Sequence, residues 1–115
     1  MAIRTPTAPP GTKTSHGTHV ASTAAGCTGI NADVQGVAPD AQIANMNVFT
    51  SSGSASYADI LSALEDCMLL GVDVANLSLG SDAGYIDYEN PDEFTESLLN
   101  VFKRAGESGM SLAVA

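Results

Sequence analysis

An α/β fold built on a parallel sheet is what this sequence predicts, and three observations predict it. After an opening helix the apolar pattern reads strand, helix, strand, helix, strand, an order that lays helices over parallel strands. The run Val72–Leu79 is almost continuously apolar, with Val72, Val74, Ala75, Leu77 and Leu79, as suits a central parallel strand covered on both faces. Two further stretches repeat apolar residues at helical spacing between clear start and stop signals. The expected architecture is an α/β layer with a parallel sheet, of roughly three strands and three helices.

Met1 to Lys13 holds Pro6, Pro9, Pro10 and Gly11 and reads as an irregular lead-in, or as residues added ahead of the natural chain. From Gly17 the side chains turn small, with Val20, Ala21, Ala24 and Ala25 at helical spacing and Gly26 as the end signal. This places His16 just outside the first turn. The positive end of a helix dipole disfavours a cation, so a histidine there serves as a neutral proton acceptor, the requirement for a general base. Cys27 to Gly36 is a loop in which Asn31 and Asp33 fit a polar turn better than a calcium loop. Gln42 to Phe49 reads as a strand with Ala44, Met46 and Val48 on one face and Ile43, Asn45 and Asn47 on the other.

Thr50 to Ser56 is a Ser/Gly loop. A helix follows to Leu70: Ser56 and Asp59 form its capping box, Ile60, Leu64, Cys67 and Met68 its apolar stripe, and Gly71 its stop. Asp82 to Glu89 is an acidic loop with Tyr85 and Tyr88. Asn90 as cap and Pro91 at the first helical position open the last helix, which runs to Ala105 with Phe94, Leu98, Val101, Phe102 and Ala105 on one stripe. Gly106 to Gly109 turns the chain into a buried strand over 110–115.

Composition limits the function. The chain has 115 residues, 13 acidic and 4 basic, for a formal charge of −9, so no basic stripe exists to hold a phosphate backbone. Three Tyr, three Phe and no Trp leave little to stack on bases or sugars. No apolar run approaches the roughly 20 residues of a membrane span, and no signal peptide opens the chain. Cys27 and Cys67 allow one disulfide or none; the helical setting of Cys67 favours a buried free thiol. His16 and His19 form an H-x-x-H pair, but no third ligand accompanies them at suitable spacing, so no metal site is assigned. A nucleotide-binding module lacks support, since neither a Gly-x-Gly-x-x-Gly turn nor a Gly-Lys-Ser/Thr loop occurs.

Three motifs carry a resemblance. Ser15-His16-Gly17-Thr18-His19-Val20-Ala21, with small residues to Gly26, closely resembles the histidine motif of the subtilisin-like serine proteases, the subtilases. Gly36-Val37-Ala38-Pro39 and Asn76-Leu77-Ser78-Leu79-Gly80-Ser81 are similar to two later segments of the same family. The resemblance implies that His16 is the general base of an Asp/His/Ser triad, that His19 is a second, structural histidine, and that Ser78, Leu79 and Gly80 line the specificity pocket and pair with extended substrate. Ser22 and Ala75 depart from the commonest pattern.

The same resemblance implies that residues 14–115 are part of a catalytic domain, from the histidine motif to the strand before the oxyanion Asn, and that the α/β fold is an incomplete portion of a three-layer parallel-sheet, subtilisin-like fold. The upstream Asp, that Asn and the Ser of a Gly-Thr-Ser segment are not matched in this sequence, and Asp33, Asp40, Asp59 and Ser15 belong to other contexts. The expectations are therefore a serine endopeptidase parent, secreted or at the cell envelope, acting on peptide or protein substrates. This segment is expected to be inactive alone and to self-associate through exposed sheet edges. No cofactor is assigned to it, calcium being left to the intact enzyme. The alternative is a non-catalytic α/β binding or assembly module.

Overall fold

The computed structural model describes residues 15–28, 35–80 and 89–115. Readings placed on the lead-in, on the Asn31 and Asp33 turn and on the loop with Tyr85 and Tyr88 lie outside the described residues. The chain forms two compact units, residues 1–55 and 56–115.

In the first unit, helix α1 spans Ser15–Ala25. It begins two residues earlier than the Gly17 that the spacing indicates, so His16 lies within the first turn and not just outside it. Ser22 and Thr23 fit the helix because their hydroxyls donate to the carbonyls of Thr18 and His19, at 2.8 and 2.9 Å. The expected strand at 42–49 is not formed. Ala44, Met46 and Val48 are half-buried and alternate with exposed Ile43, Asn45 and Asn47, as the period-2 pattern requires, but among the described residues the ladder contact is a single antiparallel bridge from Phe49 to Ala55. A strand exists by pairing, and alternation alone cannot supply the partner. Between Phe49 and Ala55 the backbone turns tightly, with Thr50 N–H donating to Ser54 O at 2.8 Å.

The second unit is built on α2 (Tyr57–Leu70), β1 (Val74–Leu77), α3 (Glu93–Glu107) and β2 (Ser111–Val114). Ser56 caps α2 as its residue type predicts: its Oγ accepts from Asp59 N–H at 3.1 Å and donates to the Asp59 carboxylate at 2.6 Å. A serine in this position stabilises a helix by about 1 kcal/mol over alanine. At the other end Gly71 adopts φ 69°, ψ 39°, the left-handed geometry that a side chain disfavours, and Val72 N–H donates to Cys67 O at 3.0 Å. Asp92, not Asn90, caps α3: its Oδ1 accepts from Thr95 N–H at 2.7 Å, and Pro91 precedes the helix. Asn-Pro-Asp offers two competent caps, and the one chosen is that whose carboxylate reaches the third helical N–H. The helix also runs two residues beyond Ala105, through Gly106 to Glu107.

The two strands pair in parallel, Val74 with Ser111 through Leu77 with Val114. Ile60, Leu64 and Cys67 of α2, Ala75 and Leu77 of β1, Val101 and Ala105 of α3, and Met110 form the core. Each buried aliphatic side chain of Leu size contributes roughly 1.5–3 kcal/mol of transfer free energy. Tyr57 and Phe94, with ring centroids 4.5 Å apart, join the N-terminal ends of the two helices, and Arg104 reaches Glu65 at 3.0 Å between them. The latter pair is largely exposed and adds under about 1 kcal/mol. Cys67 is a free, buried thiol whose pKa is pushed up, first by burial and then by the charge of Asp66. Such a thiol is unreactive.

Among the described residues one face of β1 is covered. Ala75 and Leu77 are buried while Val74 is 59% exposed, as is Val114 at 55%. With three helices and a two-stranded parallel sheet, the architecture is an incomplete α/β fold.

The Asp92 cap carries a pH signature. Hydrogen bonds from Thr95, its side chain first and its backbone N–H second, hold the Asp92 carboxyl below its ordinary pKa. A depressed acid contributes stability above its unfolded pKa, lost as pH falls through the folded value. We therefore predict that the protection of the amides at the start of α3, measured relative to their intrinsic exchange at each pH, falls below about pH 4, an acceleration over the protected state. In an Asp92→Asn variant that acceleration should vanish; its persistence would show that another group is responsible.

Candidate active site

The residues singled out by the sequence are divided between the two units, and each group is described in its own unit. In the first unit the His16 side chain is exposed on the opening turn of α1, and its ring lies 6.0 Å from that of Phe49, centroid to centroid, with the planes at 87°. An exposed imidazole at a helix start is accessible to an incoming hydroxyl. His19, three residues on, is exposed as well. Among the described residues no three His, Cys, Asp or Glu side chains gather as a metal site.

What fixes α1 is its C-terminal end. The last carbonyls of a helix lack internal donors, and here consecutive backbone N–H groups of the Gly36-Val37-Ala38 segment supply them. Gly36 donates to Gly26 O at 2.8 Å, Val37 to Thr23 O at 3.1 Å and Ala38 to Ala24 O at 2.8 Å. The Cys27 thiol donates to Pro39 O at 3.1 Å beside them. The approach is so close that a Cβ on Gly36 would stand 2.4 Å from Gly26 N and 2.8 Å from Ala25 N. The second motif is thus the clamp of the helix that bears the first. Neither this clamp nor Phe49 was legible as a functional element in the sequence; the glycine opening Gly36-Val37-Ala38-Pro39 is the one signal that a close backbone approach was needed.

In the second unit Ser78, Leu79 and Gly80 continue the chain beyond Leu77, the last residue of β1, outside the two described strands. Ser78 Oγ accepts from Asn76 Nδ2 at 2.9 Å, which turns the Asn76 amide along the strand end. Ser78 and Leu79 are half-buried and Gly80 is exposed. A Cβ built on Gly80 meets nothing within 4 Å, so space is open on that side of its backbone. An extended peptide can approach such a segment by strand addition.

Comparison with known proteins adds the ancestry of the chain. The model of the Subtilase family matches residues 3–115. The chain is 39% identical over 107 residues to the PII-type proteinase of Lactococcus lactis subsp. cremoris, covering 87% of this chain and 5% of that protein. It is 39% identical over 97 residues to Subtilisin DY of Bacillus licheniformis, with 84% and 35% covered, and equally to the Minor extracellular protease Vpr of Bacillus subtilis, with 84% and 11% covered. The chain therefore spans only a small part of the relatives it matches, 5% in the lactococcal case.

Proposed function

Because the chain belongs to the subtilase family, we propose that it is a segment of a serine endopeptidase catalytic domain in which His16 is the general base and Ser78, Leu79 and Gly80 hold the substrate backbone. The observation that carries the reading is the exposed His16 ring on the first turn of a clamped helix. In this chemistry a serine hydroxyl attacks the scissile carbonyl while the imidazole takes its proton, then returns it to the leaving amine. A carboxylate orients the imidazole, and N–H donors stabilise the oxyanion. The serine, the carboxylate and the oxyanion Asn are supplied by segments that the motifs of this sequence do not match, so the 115-residue chain alone is inactive. Proton transfer between hydroxyl and imidazole needs no cofactor, and none is proposed for this segment.

The substrates of the parent are peptides or proteins, held extended along residues 78–80, and the parent acts outside the cell or at its envelope; the Vpr relative is named as an extracellular protease. No described helix is long and apolar enough to cross a membrane. The test is labelling of the full-length protein by a serine-directed fluorophosphonate. Labelling is expected in the wild type and lost in His16→Ala; equal labelling of both would remove His16 from the mechanism.

The open sheet face supports one more expectation. Val74, Val114, Leu69 and Leu70 are all more than half exposed, and two-stranded sheets leave both edges unpaired. Made alone, the 115-residue chain should self-associate, with a light-scattering mass that climbs with concentration. A constant monomer mass at high concentration would count against it.

A further inference from the structure

Among residues 16–25 of α1 none is buried: Val20, Ala21 and Ala25 are half-covered and the others exposed. Within this segment the helix is held at discrete points. One end is tied by the Gly36–Ala38 clamp. From there the chain runs on through alternating half-buried Ala44, Met46 and Val48 to Phe49, whose ring meets His16 at the opposite end of the same helix. Phe49 is itself pinned by its bridge to Ala55. It is followed by a turn in which the hydroxyls of Thr50, Ser52 and Ser54 lie 2.7 to 3.1 Å from one another. Residues 36–49 are thus a strap attached at both ends of α1.

The second attachment has a chemical consequence. The outer torsion of a histidine side chain is soft, with a broad two-fold preference, so the rotamer alone does not set the plane of the ring. A general base must bring one ring nitrogen within about 2.6–3.2 Å of the proton it takes. A neighbouring ring at 87° limits that rotation. Building on the reading of His16 as the base, we propose that Phe49 is a positioning residue that, together with the orienting carboxylate of the triad, restricts the plane of the His16 imidazole through this perpendicular ring contact.

The experiment uses the full-length protein with Phe49→Ala, Phe49→Leu and Phe49→Tyr, read by steady-state peptide hydrolysis and by the rate of labelling with a small fluorophosphonate that carries no peptide side chains. Loss of the ring should slow labelling and lower kcat by about tenfold to a hundredfold at nearly constant KM, the scale of a small misplacement at a catalytic centre. Phe49→Tyr keeps the ring and should restore both. Phe49→Leu keeps the apolar volume and should fold even where Phe49→Ala does not, yet label slowly. Wild-type labelling rates in the Leu or Ala variants, or an effect confined to KM, would overturn the positioning role and make Phe49 a filler or a substrate contact. Equal labelling of wild type and His16→Ala is a different result, which removes the base itself and the inference with it.

Discussion

In the full-length protein His16→Ala is expected to lower kcat by about a millionfold while KM stays near its wild-type value. The size follows from how a triad works. Without the base, the serine hydroxyl keeps its proton at the moment of attack, and the remaining members have nothing to cooperate with. Loss of the base alone then costs about as much as loss of the whole triad, a scale that was set on subtilisin, a protein of this same family. Substrate is still held by backbone pairing and pocket contacts that do not involve the imidazole, so ground-state binding should survive. The motivating observation is the accessible ring on α1. A variant retaining more than about a hundredth of wild-type kcat would exclude proton transfer through this side chain.

The second large effect concerns the clamp. Gly36→Ala would place a methyl group 2.4 Å from Gly26 N, 2.8 Å from Ala25 N and 2.9 Å from Ser22 O, all of them backbone atoms that cannot rotate away. Either the helix end or the Gly36 segment must shift, and the three hydrogen bonds of the clamp go with it. Overpacking of this kind costs about 3 kcal/mol, at the upper end of its usual range. Since the damage is local, the readout is hydrogen exchange across residues 15–38 of the full-length protein, where protection of α1 should fall by more than about a hundredfold. Unchanged protection would mean that the helix does not depend on this contact. Activity should fall as well, because the displaced helix carries His16.

Where the sequence told the fold plainly, the signals were local. Helix α2 was legible in full because Ser56, Asp59, the Ile60-Leu64-Cys67 stripe and Gly71 lie within one another's reach along the chain. The start of α3 was blurred because Asn90 and Asp92 are both good caps, and only the carboxylate's reach to Thr95 decides between them. The segment 42–49 shows the opposite case: its alternation is real and its side chains obey it, yet whether it is a strand depends on a partner that periodicity does not encode. The same is true of β1, whose apolar run says that two faces can be covered but not that both are.

The candidate site divides in the same way. His16 and Ser78–Gly80 were marked by motif, that is, by chemistry that demands a given residue type at a given place. Phe49 and Gly36 were not, since their importance lies in what they touch. Phe49 meets His16 across 33 positions of chain, from 16 to 49, and Gly36 meets Gly26 across ten. No spacing rule reports contacts of that kind.

The register of the two strands also bears on how this polypeptide assembles. Val74 finds its partner in Ser111, a separation of 37 positions from 74 to 111, so closing that circuit costs about 3 kcal/mol of chain entropy by the logarithmic term alone. On a ribosome, α2 with both its ends sealed can coil as soon as it emerges, whereas the β1–β2 pair cannot close until Val114 has cleared the exit tunnel. The interval of greatest vulnerability to misassembly during synthesis therefore lies between those two moments.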